Sequence, residues 1–324
     1  MSSLQIDSGS SVEVLVEYIR KDVEKHAADG VIMGLSGGID SAVLAYLLVR
    51  ALGPKRVHFY YIFDRDSEDE SRETAVHIAS ELKVELNIID MTEQMKEQRV
   101  YAPLIMKINV YSHTLNRMIQ HLYTAFFGEN PFISNLKERL GRFGSNPIKR
   151  LVYNMTIRAI TAGFDARHIE RRRILEWEAK EHNLLPLGAA NRSEMMVGWF
   201  VKDGIDDLED QPLSGLYKTQ VRQLAKYLNL PDSIRKQLPS PDMMKGITDE
   251  FGIGMLYERI DRVLDCIDRG CQQKPQTCDV TTEDIRYVEM LHELSTWKRE
   301  SPGVEPPLFG TVAGGLRVDV EYCE

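Results

Sequence analysis

The sequence predicts an α/β protein with a doubly wound, open parallel sheet that is flanked by helices and carries a helical insertion. Short apolar runs, typical of buried strands, alternate with segments in which apolar residues recur at helical spacing. A strand, helix, strand order at this spacing indicates parallel pairing through right-handed crossovers. The 324 residues, of which 43% are hydrophobic, are enough for one large α/β core or two smaller ones.

The first quarter of the chain supplies three of the predicted strands. It begins with an amphipathic helix behind a serine cap at residues 10–11, whose apolar face is Val12, Leu15, Val16, Ile19 and Val23. A strand then leads into residues 34–42. The second and third strands are predicted over 57–63 and 84–89, and a capping-box pattern at 67–70 predicts the helix between them.

The turn after the first strand is predicted to bind phosphate. A short apolar run that begins at Val31 and includes Gly34 changes abruptly into a turn and a helix start that contain Ser36, Gly37, Gly38, Asp40 and Ser41. Unpaired amides at a helix N-terminus converge on an anion, and two glycines let the backbone approach it closely. Asp40 would repel a phosphate unless a cation lay between them, which indicates Mg²⁺ carried with a nucleoside triphosphate. The alternative is a flexible turn with Asp40 as a helix charge, but the complete hexapeptide between strand and helix favours binding.

A second strand end is predicted to face the same crevice. Residues 184–187 are predicted to form a fourth strand, and Asn191 and Ser193 are good cap residues for the helix after it. Ligands of open parallel sheets bind beyond the carboxyl ends of the strands, where Glu194 would meet Asp40. These two carboxylates form a plausible Mg²⁺ site. The alternative for Glu194 is simple pairing with the helix dipole.

Lys218 opens a predicted helix, where its charge is unfavourable for the helix dipole. A phosphate partner would explain this position, and a solvated surface lysine is the alternative. Further along, the turn at 239–242 is a candidate mobile lid. Thr248 then caps a helix whose apolar face runs from 256 to 267, and Thr282 caps the last helix.

The stretch from 93 to 164 breaks the α/β rhythm and has helical tendency. It carries aromatic residues among arginines and lysines, so it is either a substrate-binding insertion or an ordinary helical cap with inward-packed aromatics. We therefore divide the chain into 1–92, the first part of the α/β domain; 93–164, the insertion; 165–302, the rest of that domain with its lid loops; and 303–324, a C-terminal tail.

Composition narrows the possible partners. The formal net charge of −9 argues against a nucleic-acid binder and favours a small-molecule substrate. No apolar run reaches about 18 residues, and the polar N-terminus lacks a signal-peptide centre, so we expect no membrane partner and a cytoplasmic location. The four cysteines lack metal or redox spacing and are expected to be free thiols: Cys266, Cys271, Cys278 and Cys323.

The turn resembles the pyrophosphate loop of the PP-loop superfamily of ATP pyrophosphatases, and the ordered set of motifs resembles the ammonia-dependent NAD synthetases, an N-type branch of it. Four later motifs carry this more specific likeness. They are Asn191-Arg192-Ser193-Glu194 with Phe200-Val201-Lys202, Leu216-Tyr217-Lys218-Thr219-Gln220-Val221-Arg222, Pro239-Ser240 with Thr248-Asp249-Glu250, and Lys298-Arg299 with Pro302.

This resemblance implies an ATP-dependent ligase that adenylates the carboxylate of deamido-NAD and transfers ammonia to give NAD, AMP and pyrophosphate. It implies catalytic roles for Asp40, Glu194 and Lys218, with Mg²⁺ held by the first two. ATP would lie on Gly34, Ser36, Gly37, Gly38, Asp40 and Ser41, with Lys218 and Ser240. The acceptor would contact Arg171, Lys202, Glu209, Trp297 and Lys298, and a homodimer interface would help to form its site.

Departures from the family pattern fall on the acceptor side, at Ile169, Ala189, Glu209 and Trp297. They keep two alternatives open: a related ATP pyrophosphatase that adenylates a different acceptor, and a nucleotide-binding protein without turnover. No glutamine-hydrolysing domain and no cysteine in a catalytic setting is recognisable. The nitrogen is therefore expected as free ammonia or from a separate glutaminase.

Overall fold

Four parallel strands form the central sheet of the computed structural model, which describes residues 4–108, 113–240, 246–270 and 279–299. The strands lie in the order β3-β2-β1-β4, with bounds β1 (Gly30–Gly34), β2 (Val57–Phe63), β3 (Leu86–Asp90) and β4 (Leu184–Pro186). Val31 pairs with Val57 of β2 on one side and with Leu185 of β4 on the other. The predicted parallel sheet is confirmed.

Helices make up most of the remaining described chain. Their bounds are α1 (Ser8–Lys25), α2 (Ile39–Leu52), α3 (Asp69–Leu82), α4 (Thr92–Glu97), α5 (Leu104–Ile108), α6 (His113–Phe127), α7 (Pro131–Arg139), α8 (Pro147–Met155), α9 (Ile157–Glu181), α10 (Arg192–Val197), α11 (Lys218–Tyr227), α12 (Asp232–Arg235), α13 (Asp249–Ile253), α14 (Tyr257–Asp268) and α15 (Thr282–Leu294). Within the described ranges, no helix combines the length and the apolar character that crossing a bilayer requires.

The sheet is covered on both faces because successive strand residues point to opposite sides. Val31 and Met33 of β1 pack into a core that α1, α2, α3 and α11 share. Ile32, between them, packs into the core on the other face, with Leu175 and Ala179 of α9. Helices on both faces of a parallel sheet are the layers of a doubly wound fold.

The direction in which successive strands are added to the sheet reverses at β1. From β1 it proceeds through β2 to β3 on one side, and the later strand β4 then joins β1 on the other side. A crevice opens at the carboxyl ends of β1 and β4, where such a switch occurs. The sheet topology therefore brings the segments after residues 34 and 186 together.

Two further apolar clusters lie outside the sheet. One joins α5, α6, α8 and the start of α9, and the other joins α7, α10, α13, α14 and α15. The predicted boundary between residues 164 and 165 falls inside the continuous helix α9, and the proposed tail at 303–324 lies outside the described residues. The domain division stays a prediction.

Several local predictions were wrong by a few residues. The first helix begins at Ser8, because Asp7 rather than a serine accepts the hydrogen bond from the Ser10 amide. The third strand runs from Leu86 to Asp90. The predicted helix after Thr248 is two helices, α13 and α14, because Gly254 adopts φ +88° and ends the first of them.

Other caps also differ from the prediction. The side chain of Thr281, one residue before the predicted Thr282, caps α15. The side chain of Glu68 makes no capping hydrogen bond to α3, and Ser67 instead accepts a hydrogen bond from the Asp64 amide. Of the four cysteines, Cys266 is buried as a free thiol, and the other three lie outside the described residues.

Candidate active site

The turn from β1 into α2 is held in one conformation by its glycines and serines. Gly37 has φ +84°, and a Cβ built there would lie 2.3 Å from the carbonyl oxygen of Ser71. The hydroxyls of Ser36 and Ser41 lie 3.0 Å apart, and the Gly38 amide donates to Ser36 Oγ at 3.3 Å. Since the N-cap of α2 is Gly38, no cap side chain occupies the first amides of the helix. The turn thus keeps the shape of an anion-binding loop.

Gly37→Ala is expected to raise the KM for ATP by about tenfold or more and to destabilise the protein by about 1–3 kcal/mol. The added Cβ requires strained backbone and displaces Ser71 at the start of α3. Steady-state kinetics and urea unfolding measure the two effects. Gly53→Ala is the matched control, because Gly53 also has positive φ (+77°) but open space around its Cβ. Equal KM changes in both variants would contradict the assignment of the turn.

Asp40, Glu194 and Lys218 meet at the predicted crevice. The Lys218 ammonium donates to Asp40 Oδ2 at 2.5 Å and to Glu194 Oε1 at 2.9 Å. Asn191 donates to Asp40 Oδ1 at 3.0 Å and accepts from the Glu194 amide at 3.1 Å, so it caps α10 and orients Asp40 together. Lys218 is 1% exposed and is therefore not the solvated surface lysine of the alternative interpretation.

A buried carboxylate sets the position of Lys218. Asp261 of α14 accepts from the Thr219 amide at 2.7 Å and from the Ser193 hydroxyl. Ser193 in turn accepts from the Lys218 amide at 2.8 Å. Burial raises the pKa of Asp261 to about 6, despite these hydrogen bonds. The starts of α10 and α11 are thus fixed against α14.

Among the residues that the structure describes, the cluster holds three carboxyl groups, those of Asp40, Glu194 and Asp249, around the single ammonium of Lys218. Asp249 joins Glu194 through the hydroxyl of Tyr257, which lies 3.1 Å from Asp249 Oδ2 and 3.3 Å from Glu194 Oε1. Burial first, and then the charges of Asp40 and Asp249, raise the pKa of Glu194 to about 8. Burial acts to lower the pKa of Lys218, but the surrounding carboxylates outweigh it, and the pKa lies above its usual value. Carboxylate oxygens that lack sufficient counter-charge fit a hard divalent cation such as Mg²⁺.

The other residues predicted to bind ATP or the acceptor are more dispersed. Ser240 is exposed and its hydroxyl lies 3.3 Å from the carbonyl oxygen of Ile247. Arg171 donates from Nε to the carbonyl of Ile62 at 3.0 Å. Glu209 is exposed. The structure does not bring these side chains into the Asp40 cluster, and their roles stay predictions.

Lys202 and Lys298, two of the residues predicted to contact the acceptor, donate hydrogen bonds to backbone carbonyl groups. The Lys298 ammonium is buried and donates to the carbonyl oxygens of Gly198, at 2.8 Å, and Phe200. Burial lowers the pKa of Lys298 to about 8. Lys202 donates to the Lys298 carbonyl at 3.1 Å. Trp297 is half-buried beside them. In this conformation the hydrogen bonds of the two lysines join the segment after α10 to the residues around 298.

An apolar cavity of about 190 Å³ lies beside that segment. Trp199, Phe200 and Lys298 form part of its wall, together with residues of the predicted insertion, among them Tyr123, Phe132 and Phe164. Asp165 and His168 add polar groups. A mostly apolar cavity with a few polar groups is typical of a site for a small organic ligand.

A sequence model of the NAD synthase family matches residues 11–119 and 147–302, which is most of the chain. The chain belongs to the NAD synthase family. The NH(3)-dependent NAD(+) synthetase of Thermotoga maritima is 30% identical over 294 residues, covering 90% of this chain and 97% of that protein. The family predicted from the motifs is confirmed, and the protein is an NAD synthetase-like carbon–nitrogen ligase.

Solved structures confirm the fold of this NAD synthase family member. The NMN synthetase of Francisella tularensis aligns with a TM-score of 0.65 and 23% identity, covering 93% of this chain and 99% of that chain. The NH3-dependent NAD synthetase of Campylobacter jejuni aligns with a TM-score of 0.62 and 21% identity, covering 93% and 100%. At these identities the likeness concerns the fold.

Three residues of the candidate site were missed as functional candidates by the sequence reasoning: Asp249, Tyr257 and Asp261. Asp249 was placed in a helix cap and in one of the motifs that carry the family resemblance, but it was given no role of its own. A signal was present for Asp261, because it lies next to Ile260 on the buried face of α14, where a carboxylate needs a partner. The role of Tyr257 depends on long-range contacts, and its spacing gives no indication of them.

Proposed function

We propose that this NAD synthase uses ATP to adenylate the carboxylate of deamido-NAD and then transfers ammonia to the activated carbonyl. The observation that carries the proposal is the joining of Asp40, Glu194 and Lys218 beside the phosphate turn, at the switch point of the sheet. This is where a nucleotide triphosphate and a cation would be held together.

In this proposal, ATP lies with its phosphates on the turn from Gly34 to Ser41. The amides at the start of α2 and the hydroxyls of Ser36 and Ser41 bind the phosphate oxygens. Lys218 neutralises charge that develops on the departing pyrophosphate, for which its buried position beside Asp40 is suited. Ser240 adds a contact from the segment after α12.

Asp40 and Glu194 would hold Mg²⁺, as the excess of buried carboxylate around Lys218 supports. When bound, the ion would supply charge stabilisation for the triphosphate. Asn191 keeps Asp40 oriented for this task through its 3.0 Å hydrogen bond. These residue roles, like the ATP contacts, are part of the proposal.

The acceptor is proposed to enter the cavity beside Trp199 and Phe200. Its apolar walls suit an aromatic ring. The residues proposed to contact the acceptor lie in two segments, Lys202 and Glu209 after α10 and Trp297 and Lys298 after α15. Arg171 lies on α9, the helix that also contributes His168 to the wall. The insertion contributes aromatic walls, which supports its interpretation as a substrate-binding element.

The reaction proceeds in two displacements. A carboxylate oxygen of the acceptor attacks the α-phosphorus of ATP and pyrophosphate leaves, which gives an acyl-adenylate. The ammonia nitrogen then attacks the carbonyl carbon, AMP leaves with the bonding electron pair, and the nitrogen loses a proton to form the amide. Walls such as Trp199 and Phe200 exclude water from the adenylate, which hydrolyses easily.

The proposal is tested by incubating the full chain with Mg-ATP, ammonium and deamido-NAD, and by following pyrophosphate release and products by mass spectrometry. Formation of NAD and AMP, dependent on all three substrates, is expected. Parallel reactions replace deamido-NAD with its mononucleotide half and with unrelated carboxylates. Turnover of another acceptor only would favour the alternative acceptor, and no pyrophosphate release from any acceptor would favour a binding protein without turnover.

We further propose that the protein is a cytoplasmic homodimer that uses free ammonia or ammonia from a separate glutaminase. Two exposed apolar stripes support the dimer. They lie on α6 and α8 and consist of Met118, Leu122, Phe126, Ile148, Leu151 and Met155, each about half or more exposed. Contiguous exposed apolar surface of this kind typically marks an interface.

Leu122→Asp is expected to convert the dimer to a monomer, because the variant places a charge within the stripe on α6. Light scattering coupled to gel filtration gives the mass of each form. Val76→Asp, at an exposed apolar site of α3 outside the stripes, should remain dimeric. A wild-type protein that runs as a monomer at micromolar concentration would contradict the proposed dimer.

A further inference from the structure

A second cluster of potential ligands lies away from the Asp40 site, where α1 ends against the edge of the sheet. It consists of Asp22 of α1, His26 immediately after α1, and Asp210, which forms a bridge to Leu187 just beyond β4. One carboxylate oxygen from each aspartate and one ring nitrogen of His26 all lie within 4.8 Å of one another. The proposed reaction uses none of these residues.

Each carboxylate of this cluster is buried and has one oxygen without a hydrogen-bond donor among the described residues. His26 Nδ1 lies 2.9 Å from the carbonyl oxygen of Asp22 and 3.4 Å from Asp22 Oδ1. Asp22 and Asp210 are 5% and 4% exposed. In the described part of the chain, Asp22 Oδ2 and Asp210 Oδ1 are buried and have no hydrogen-bond partner, and the same holds for the neighbouring hydroxyl of Tyr18. Buried polar atoms in native proteins almost always have a partner, so such a group of orphaned atoms indicates a missing ion, water or proton.

We propose that Asp22, His26 and Asp210 bind a divalent transition-metal ion, with Zn²⁺ as the reference probe. Two carboxylate oxygens and an imidazole nitrogen are a ligand set for this class of ion, with water completing the coordination. His26 lies at the exposed mouth of the cluster, so an ion can enter from solvent. Ligand atoms of a zinc site are about 3–4 Å apart, so the residues need only a small closure.

The ion would tie α1 to the segment that carries Gln211. Gln211 Oε1 accepts from the Ala190 amide at 2.9 Å, immediately before Asn191, the residue that orients Asp40. A metal bound to the folded state alone stabilises that state. The metal would therefore stabilise the contact between α1 and the segment that carries Asp210 and Gln211. This role does not depend on which acceptor the Asp40 site uses.

The test measures Zn²⁺ uptake by the chelator-treated full chain in excess Mg²⁺, using equilibrium dialysis and metal analysis, with melting temperatures in parallel. Asp22→Asn, Asp210→Asn and His26→Ala are expected each to lose one Zn²⁺ per chain or to bind it at least about tenfold more weakly. Zn²⁺ should raise the melting temperature of the wild type more than that of these variants. Glu17→Gln on α1 and His77→Ala on α3, both exposed, should behave as the wild type.

Zinc held by cysteines or by the Asp40 cluster would appear equally in all these proteins, so the difference in uptake isolates this site. The asparagine variants keep the side-chain shape and remove repulsion between two buried carboxylates, so they should fold. The main alternative is a proton shared between the aspartates, since burial and then Asp22 raise the pKa of Asp210 to about 6. Equal Zn²⁺ uptake in wild type and aspartate variants would overturn the metal site, and loss in these but not in His26→Ala would overturn the three-ligand set.

Discussion

Replacing Asp40 with asparagine is expected to slow pyrophosphate release from ATP by about 10²–10³-fold while the fold stays intact. The change removes one charge from the pair with Lys218 but keeps the oxygen that accepts from Asn191. A neutral amide is a weaker ligand for a cation than a carboxylate, and it does not supply the negative charge that pairs with the Lys218 ammonium. Asp40→Ala removes the oxygen as well, and we expect it to abolish release.

Pyrophosphate release with saturating Mg-ATP, ammonium and deamido-NAD measures the effect, and circular dichroism checks the fold. Asp69→Asn is the matched control, because Asp69 lies in the first turn of α3 as Asp40 does in α2. It should keep wild-type activity. Full activity of Asp40→Ala with an unchanged spectrum would remove Asp40 from the proposed metal and phosphate site.

The turn between β1 and α2 and the meeting of Asp40 with Glu194 could be predicted because both depend on rules that the sequence displays directly. The turn is a local pattern between a strand and a helix. The carboxyl ends of parallel strands share one edge of a sheet, so residues that follow β1 and β4 must approach one another. The contact between Asp40 and Asn191, 151 residues apart, follows from that topology.

The burial of Lys218 could not be predicted in the same way. Its helix-start position indicated an anionic partner, but phosphate and carboxylate satisfy the same signal. The choice depends on Asp261 and Ser193, which fix α11 against α14 through side chains distant in sequence. The apolar cavity was harder still to predict, because it is assembled from α6, α7, α9 and the segment after α10. Sequence periodicity identifies a buried face but not the face that it meets.

The burial of Arg167 is a further feature that the sequence alone does not predict. Four arginines lie between 167 and 173, and nothing in their spacing distinguishes the one that is buried. In the structure Arg167 is 0% exposed and donates to Asp64 at 2.6 Å and to Asp66, in the loop after β2. Tyr101 also donates to Asp64, at 2.7 Å. The network connects α9 to the carboxyl end of the sheet.

Arg167→Met is therefore expected to reduce the free energy of unfolding by about 3–5 kcal/mol at neutral pH, because it leaves two buried carboxylates without their counter-charge. Urea unfolding followed by circular dichroism measures the loss. Arg173→Met is the control on the same helix. Arg173 is largely exposed, and its partner Glu170, although buried, also accepts a hydrogen bond from Gln98, so the loss of Arg173 should cost clearly less than the loss of Arg167.

The pH dependence of that loss distinguishes missing charge from missing packing. Burial acts to raise the pKa of Asp64, but Arg167, with a further hydrogen bond from Tyr101, holds that pKa below its usual value. This contribution in the wild type is present above the unfolded pKa of about 3.9 and is lost as pH falls through the lower folded value. Burial already keeps the pKa of Asp66 above its usual value, and without Arg167 both pKa values rise.

The loss of unfolding free energy in the Arg167→Met variant is therefore smallest near pH 4, where both carboxylates take up protons. The variant loses stability as the pH rises through the raised folded pKa values. The difference between wild type and Arg167→Met should grow from about pH 4 to pH 7. A difference that stays constant over this range would show that Arg167 acts through packing alone. The same measurement on Arg173→Met should give a small difference at every pH, because its partner Glu170 keeps other contacts, including one from Gln98.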